Sequence, residues 1–240
     1  MSEPTLSVII PAWNEEKCIS SAIDSLKRAA SFYKSERGCT AEIIVVDNNS
    51  TDGTGDVARQ HGVQVVHEPV NNIGKARNTG VRAARGKYIA FCDADNQVTE
   101  NLLVLIHDHL ENAKIAGGGT WIEPAKRNLK INFFYFLWGI YVRCSRIGVG
   151  MMHCRKADFE SFGGFDETIY AAEDVQLAYD LKKIGKFNLI KKGWIITSTR
   201  KIDQTPLFEM ITKLIGFGFG LQKKIRDKEY CEHWYDKAAR

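Results

Sequence analysis

Short apolar runs separated by amphipathic stretches fill the first hundred residues of the chain. Four runs have the length and composition of strands: residues 6–10, 42–46, 63–66 and 88–92. Apolar positions recur at helical spacing in the stretches between and after them: residues 19–33, 57–61, 74–84 and 102–110. Apolar strands that alternate with helices predict an α/β fold with a mostly parallel sheet buried on both faces.

Two element boundaries are predicted from single residues. Pro11 is expected to end the first strand, because proline has no N–H to donate to a sheet. Thr99 is expected to cap the helix over residues 102–110. In an open α/β sheet, ligands bind beyond the carboxyl ends of the strands, where the strand order reverses. Three loops fall at such ends: residues 11–16, 47–54 and 93–96.

The pattern changes after residue 120. Residues 131–142 are apolar all round a helix rather than along one stripe, which predicts a buried helix, with an interfacial helix as the alternative. A glycine-rich turn at residues 163–166 is followed by Glu173, Asp174 and an amphipathic helix over residues 175–184. We expect this half of the chain to receive a second substrate.

The composition is that of an ordinary soluble globular protein, with 240 residues of which 44% are hydrophobic and 26% charged. No apolar stretch reaches the roughly 20 residues that span a bilayer. The six cysteines lack the spacing of a metal site, which predicts reduced thiols. The N-terminus lacks signal-peptide features, which predicts a cytoplasmic location. The excess positive charge behind the net +4 is concentrated after residue 180, which favours an anionic partner there, with a solvated lysine-rich surface as the alternative.

Two carboxylates stand one residue apart directly after the fourth predicted strand. Asp93 and Asp95 are therefore delivered to the edge of the sheet where ligands bind. Mg2+ and Mn2+ prefer oxygen ligands and complete their shells with waters and substrate phosphates. The pair predicts a site for a metal bound to a diphosphate, and a solvated loop is the alternative.

Two further groups of polar residues suit the same chemistry. Residues 47–54 offer acceptors for a base or a ribose, although an Asx-rich turn in which Ser50 or Thr51 caps the next helix would have the same sequence. Lys75 and Arg77 lie near the start of a helix, where free N–H groups and positive charge favour phosphate. Surface salt bridges are the alternative for these two cations.

Carboxylates and histidines elsewhere in the chain are further candidates for the site. Glu173 and Asp174 begin a helix whose dipole is expected to keep them ionised, as a proton acceptor requires, and helix capping is the alternative. His107 and His109 point in different directions on one helix, so we assign them to structure. His233 is kept as a remote metal candidate.

Six stretches, in this order, resemble the family 2 inverting glycosyltransferases with the GT-A fold: residues 7–16 (SVIIPAWNEE), 44–54 (IVVDNNSTDGT), 74–80 (GKARNTG), 93–96 (DADN), 163–166 (GGFD) and 173–174 (ED). The resemblance runs from about residue 5 to about residue 200. It implies a Rossmann-like, mostly parallel sheet flanked by helices, with a helical extension at the C-terminus. Each motif alone is weak, and the ordered set is specific.

The resemblance implies roles for particular residues. The donor nucleotide would be bound by residues at the strand ends and on the third helix: Pro11, Trp13, Glu15, Asp47, Lys75, Arg77 and Asp93. Asp95 would bind Mn2+ or Mg2+, Asp174 would be the general base, and Glu173 would orient the acceptor. Trp13 replaces the tyrosine more usual in this family. Residues 199–201 contain no histidine where many relatives have one, so a third protein metal ligand is in doubt.

By the same resemblance, a metal-dependent enzyme would move a sugar from a nucleoside-diphosphate sugar, with uridine slightly favoured, to an acceptor hydroxyl. The acceptor would be a glycan or a lipid-linked sugar, such as a precursor of cell-envelope polysaccharide, and nucleic acid is not expected. Residues 1–205 would form the catalytic domain, with a nucleotide-binding half over 1–120 and an acceptor half over 121–205. Residues 206–240 would form a basic helical extension that contacts the inner face of the membrane.

Other classes of protein fit the sequence less well. A sugar nucleotidyltransferase would need a glycine- and arginine-rich loop after the first strand, and a nicotinamide enzyme would need GxGxxG there, but residues 11–15 are PAWNE. The main alternative is a catalytically degenerate module that binds a nucleotide sugar. Asp95 and Asp174 argue against it, because a module without catalysis needs neither carboxylate.

Overall fold

The computed structural model describes residues 3–145, 147–148, 150–170, 172–206 and 226. Strands and helices alternate through most of this part of the chain. In chain order they are β1 (Leu6–Ala12), α1 (Ile19–Arg37), β2 (Ala41–Asp47), α2 (Thr54–Gln60), β3 (Gln64–His67), α3 (Ile73–Ala83), β4 (Tyr88–Phe91), β5 (Asn96–Val98), α4 (Leu102–Glu111), β6 (Ile115–Pro124), α5 (Leu129–Ser145), β7 (Met152–Arg155), α6 (Lys156–Ser161), α7 (Glu173–Ile184), β8 (Lys186–Thr197) and α8 (Arg200–Gln204).

The strands described form one sheet in the order β3-β2-β1-β4-β7-β6-β8-β5. The first four strands in the chain are mutually parallel where they pair, as the sequence predicted. Further along the sheet, β7 is antiparallel to β4 and to β6, while β6 and β8 are parallel. The chain leaves β1 in one direction to β2 and β3 and returns to β4 on its other side. The strand order therefore reverses between β1 and β4, which is where such sheets bind ligands.

Both faces of the sheet are buried, which explains the continuous apolar character of β1. Val8 and Ile10 pack on the side of α1 and α4, whereas Ile9 packs on the side of α3 and α7. Gly80 allows α3 to lie close to the sheet, because a Cβ there would be 2.4 Å from Cγ2 of Ile9. This packing holds the N-terminal end of α3 beside the strand ends.

Two of the predicted boundaries are wrong. Strand β1 does not stop at Pro11 but continues to Ala12, with Pro11 in register opposite Val46 of β2. The pairing of β1 with β4 has ended by then at Ile9, so proline lies where one side of the strand has no ladder partner to donate to. Thr99 is not the cap of α4, because its Oγ1 accepts from the backbone N–H of Trp194, 3.3 Å away in β8.

Residues 131–142 form a helix as predicted, but the prediction that this helix is buried is wrong. Helix α5 exists, but within it Ile131 and Val142 are the two buried residues. Leu129 is 90% exposed, and Phe136 is 64% exposed. The helix therefore packs on the protein along a narrow stripe and leaves much of its apolar surface in contact with solvent.

Among the residues that the structure describes, none of the helices combines the length and the apolar character needed to cross a bilayer. Apart from residues 206 and 226, the predicted basic extension over 206–240 lies outside the described residues, and so does the metal candidate His233. The domain boundary at residue 205 and the extension therefore stay predictions.

Candidate active site

The loops after β1 and β2 are joined to each other by hydrogen bonds at the carboxyl edge of the sheet. Asn14, at φ 54°, accepts from the backbone N–H of Thr51 at 2.8 Å, and its own N–H donates to Oγ of Ser50 at 3.1 Å. The N–H of Glu15 donates to Oγ1 of Thr54 at 2.8 Å. Ser50 and Thr51 thus bond to the neighbouring loop, and the alternative in which either caps α2 is wrong because the N-cap is Gly53.

The predicted nucleotide-binding residues Pro11, Trp13, Glu15 and Asp47 line this junction. Trp13 and Glu15 are buried, and Asp47 ends β2. Oδ1 of Asp47 accepts from the N–H of Ser50 at 3.0 Å. The four residues are therefore held by the ends of two adjacent parallel strands, as their positions in the sequence predicted.

Lys75 and Arg77 share helix α3 but have different surroundings. The N-cap of α3 is Asn72, whose side chain accepts from the N–H of Lys75 at 2.8 Å. Nζ of Lys75 lies 3.9 Å from Oε1 of Glu68 and is partly exposed at the edge of the site. Arg77, two residues later and on the inward face of the helix, is only 6% exposed. Lys75 can reach a ligand from solvent, whereas Arg77 lies beneath the site.

The guanidinium of Arg77 bridges two carboxylates that the sequence assigned to different substrates. Nη1 donates to Glu173, and Nη2 donates to Oδ1 of Asp93 at 3.1 Å. Its Cζ lies 5.4 Å from the ring centroid of Phe165, and its Nε has no hydrogen-bond partner among the described residues. Burial opposes the charge of this group, but Glu173, Asp93 and Asp174 outweigh burial and raise its pKa. Arg77 therefore ties the strand end of β4 to the start of α7.

Asp174 lies beside this ion pair in the first turn of α7. The preceding Ala172 adopts a left-handed conformation at φ 60°, which turns the chain into the helix and brings the two acids towards the sheet. Burial, and then the charge of Glu173, raise the pKa of Asp174 to about 7 although Arg77 opposes the shift. The expectation that the helix dipole keeps Asp174 ionised is therefore wrong near neutral pH, because desolvation and the neighbouring acid outweigh the dipole. A carboxyl group that titrates near 7 is well suited to accept a proton.

Asp95 faces the other side of the site, where an arginine that the sequence analysis did not assign is bound. Nη2 of Arg200 lies 2.8 Å from Oε2 of Glu15 and 3.6 Å from Oδ2 of Asp95. Arg200 is the first residue of α8, and its Nε donates to Oγ of Ser198 at 3.0 Å. The basic character of residues 199–201 was the available signal, but no local pattern indicates the partners of Arg200.

Within the described part of the chain, no three His, Cys, Asp or Glu side chains are grouped as a ready-made metal site. Glu15 and Asp95 nevertheless converge on one cationic nitrogen. Carboxylate oxygens are the ligands that Mn2+ and Mg2+ prefer, and such sites complete their shells with waters and substrate phosphates. The donor set around Asp95 therefore fits a divalent cation that arrives with a diphosphate.

The internal histidines have structural partners. Nδ1 of His107 lies 2.6 Å from the hydroxyl of Tyr33, and Nδ1 of His109 lies 2.9 Å from Nε2 of His153. Burial lowers the pKa of His153 to about 3, so this ring is neutral. The assignment of His107 and His109 to structure is confirmed.

Comparison with known proteins agrees with this architecture. The family model described as glycosyl transferase family 2 matches residues 7–138. The uncharacterized glycosyltransferase EpsJ of Bacillus subtilis is 31% identical over 131 residues, which cover 52% of this chain and 36% of that protein. The probable glycosyltransferase YdaM of the same organism is 29% identical over 206 residues, which cover 76% of this chain and 47% of YdaM. The chain thus spans between a third and a half of the length of these relatives.

Solved structures share the fold at low identity. One is the mannosyltransferase PcManGT from Pyrobaculum calidifontis, in complex with GDP-Man and Mn2+. It has a TM-score of 0.66 at 19% identity, and the match covers 100% of this chain and 72% of the PcManGT chain. Glucosyl-3-phosphoglycerate synthase from Mycobacterium tuberculosis, in complex with Mn2+ and UDP-glucose, has a TM-score of 0.64 at 21% identity, covering 92% and 79%. These likenesses confirm the predicted GT-A fold. Because the family model matches more than half of the chain, the chain belongs to glycosyl transferase family 2.

Proposed function

We propose that this chain is a metal-dependent inverting glycosyltransferase that moves a sugar from a nucleoside-diphosphate sugar to an acceptor hydroxyl. The observation that carries the proposal is the position of Asp174. It is a carboxyl group with a pKa of about 7, next to Glu173 and within the electrostatic reach of Asp93 at the carboxyl edge of the sheet. A base of this kind and a binding site for a charged leaving group are the two requirements of a single displacement.

In the proposed mechanism, the ionised carboxylate of Asp174 removes the proton of the acceptor hydroxyl as its oxygen attacks the anomeric carbon. The bond from that carbon to the diphosphate breaks on the opposite face, which inverts the configuration. A divalent cation held by Asp95 would neutralise the charge of the leaving diphosphate. Glu173, fixed by Arg77, would orient the acceptor. A glycosidase would instead need a protonated acid on the leaving group.

We propose that the donor nucleotide lies against the first half of the chain, residues 1–120. Pro11, Trp13 and Asp47 would contact the base, and Lys75 and Asp93 would approach the phosphates and the ribose. Support comes from the position of four of these residues at the ends of β1, β2 and β4, and of Lys75 in the first turn of α3. Glucosyl-3-phosphoglycerate synthase binds UDP-glucose with Mn2+, and PcManGT binds GDP-Man with Mn2+. We favour UDP for this chain and a divalent metal as cofactor.

The test is calorimetric binding of UDP, GDP and dTDP, each with and without Mn2+, to the wild type and to Asp95→Ala. We expect one nucleotide to bind in a metal-dependent manner, and we expect Asp95→Ala to lose that dependence because the metal loses its protein carboxylate. Asp108→Ala is the matched control, since Asp108 pairs with Arg37 on the opposite side of the first half. Binding of no nucleotide to any variant would contradict the proposed donor site, whereas binding without any sugar transfer would favour the degenerate-module alternative.

We propose further that the acceptor is a lipid-linked sugar presented at a membrane surface, of the kind used in building cell-envelope polysaccharide. Four residues of α5 form an exposed apolar stripe at helical spacing: Leu129, Phe133, Phe136 and Ile140. The helix contains Lys130 and Arg143 and no acidic residue. An apolar stripe with basic residues beside it suits an anionic bilayer surface. Tyr141 on another face of the same helix lies within the electrostatic reach of Asp174, so α5 passes near the proposed base.

This proposal predicts that Phe136→Glu weakens binding to liposomes that contain anionic lipid. The substitution places a negative charge at the most exposed aromatic of the stripe and removes apolar area, so binding should fall about tenfold or more. Flotation of wild type and variant, with the full chain in both, measures the effect. Ile184→Glu is the control, because Ile184 is an exposed apolar residue at the end of α7. Equal flotation of Phe136→Glu and wild type would contradict a role for α5, and loss of flotation on deleting residues 206–240 alone would assign the contact to that extension.

A further inference from the structure

Each of the two aspartates after β4 is paired with an arginine, and the two pairs differ in a way that matters for metal binding. Asp93 pairs with Arg77, which comes from α3 and is buried under Phe165. Asp95 pairs with Arg200, whose side chain is 29% exposed and which comes from the short helix α8 late in the chain. The first arginine is part of the core, whereas the second approaches the site from its solvent side.

Arg200 occupies the space in which a metal would bind between Asp95 and Glu15. Nη2 of Arg200 is 2.8 Å from Glu15 and 3.6 Å from Asp95, so the guanidinium fills the space between the two carboxylates. Mn2+ or Mg2+ would approach a carboxylate oxygen to about 2.0–2.2 Å in the same space. A divalent cation and a guanidinium also repel each other strongly at such a separation. One cation has to leave before the other can bind.

We propose that Arg200 is a built-in competitor of the donor's divalent cation. In the empty site its guanidinium neutralises Glu15 and Asp95, and it withdraws from Asp95 when the metal and diphosphate bind. The inference rests on the proposed metal-dependent binding of the donor. Its consequence is that free metal binds weakly without nucleotide, because the metal alone must displace Arg200, whereas a diphosphate brings negative charge that the displaced guanidinium can face.

Arg200 can withdraw without disturbing the core. Besides its contacts with the two carboxylates, the side chain of Arg200 donates a hydrogen bond from Nε to Oγ of Ser198, two residues away on the same segment. Helix α8 is five residues long, and Lys130 of α5 bonds to the carbonyl oxygen of Asp203 at its far end. The start of α8 can therefore shift while its end stays attached to α5. Arg77 has no comparable freedom, since it is buried between two acids and two aromatic rings.

The test is titration of the nucleotide-free protein with Mn2+, followed by the electron paramagnetic resonance signal of free Mn2+. We expect Arg200→Gln to bind Mn2+ about tenfold or more tightly than the wild type, because removal of one positive charge near Asp95 favours the metal. Arg200→Lys, which keeps the charge on a single ammonium, should lie between the two. Mn2+ should also raise the unfolding temperature of Arg200→Gln by more than it raises that of the wild type.

Arg37→Gln is the matched control for charge. It removes one arginine from an exposed pair with Asp108, and it should leave the affinity for Mn2+ unchanged. Equal affinities of wild type and Arg200→Gln for Mn2+ alone, with Mn2+ binding intact in the presence of UDP, would overturn the inference and leave the proposed function standing. Absence of Mn2+ binding to the wild type even with UDP would overturn the proposed metal dependence, and the inference with it.

Discussion

Asp174→Asn should reduce the rate of sugar transfer by about 10²- to 10⁴-fold, which is the usual contribution of a general base. Asparagine keeps the shape of the side chain and its position at the start of α7, but it cannot accept the proton of the acceptor hydroxyl. Donor binding should persist, because the nucleotide contacts are proposed at the ends of β1, β2 and β4. Single-turnover transfer with a radiolabelled donor, together with calorimetric binding of the nucleotide, separates the two effects.

The matched control is Asp180→Asn on the same helix. Asp180 pairs with Lys183 and accepts from Gln176 on the outer part of α7, so its loss should leave transfer nearly unchanged. Unchanged turnover in Asp174→Asn would refute the assignment of the base. A loss of nucleotide binding as large as the loss of rate would instead give Asp174 a role in holding the donor.

The raised pKa of Asp174 adds a pH dependence to this prediction. The base is active when ionised, so kcat/KM of the wild type should rise with pH through about 7 and level off above it. Measuring the profile between pH 5.5 and 9, roughly two units to either side, tests the assignment. A profile that is flat over this range would show that the carboxyl group that limits the rate has an ordinary pKa near 4.

The same shift predicts an effect on stability whose sign is opposite to that of an ordinary salt-bridged acid. The pKa of Asp174 in the folded protein, about 7, lies above the value of about 3.9 in an unfolded chain. The folded state therefore binds the proton more tightly, and this group makes the protein less stable as pH rises from about 4 to about 7. Asp174→Asn should have a higher free energy of unfolding than the wild type at pH 8, and the difference should disappear below pH 4. Urea unfolding at the two pH values measures it.

Arg77→Met should lower the free energy of unfolding by about 3–5 kcal/mol, the cost of removing one partner of a buried ion pair. Methionine fills much of the same volume against Phe91 and Phe165, but Glu173 is left as a buried carboxylate without its cation. Transfer should fall together with stability, because Arg77 also holds Asp93. Urea unfolding of wild type and variant at neutral pH checks the prediction.

Two further variants isolate the ion pair from the loss of side-chain volume. Arg82→Met on the exposed end of α3 removes a similar side chain that donates to the hydroxyl of Thr79, and it should cost little. The double variant Arg77→Met with Glu173→Gln should recover part of the lost stability, since the buried charge is gone as well. A cost for Arg77→Met no larger than that for Arg82→Met would contradict the ion-pair account.

The alternation of strands and helices in the first hundred residues could be predicted because it depends on local periodicity. Runs such as 42–46 and 88–92 are buried on both faces of a parallel sheet, and that environment selects a continuous apolar sequence. The placement of Asp47, Asp93 and Asp95 at strand ends follows from the same pattern. Strands β6, β7 and β8 were not predicted, because glycine-rich and lysine-rich segments have no clear alternation.

The burial of α5 illustrates where periodicity stops being informative. Aromatic and aliphatic residues surround this helix, and such a pattern usually marks a buried helix. Whether a helix is covered depends on which other segments pack against it, and within α5 the buried residues are Ile131 and Val142. The exposed stripe was therefore not predictable from the composition of the helix.

The sequence by itself determined the alternation of strands and helices from β1 to β4, the three strand-end loops and the family to which the chain belongs, because each of these depends on residues close together in the chain. The tertiary structure alone decided the ion pairs of the site. Arg77 meets Glu173 96 positions away, and Arg200 meets Glu15 185 positions away. Burial within that arrangement also sets the pKa of Asp174 near 7. Pairing and desolvation depend on which groups the fold brings together, and no local pattern of residue types records them.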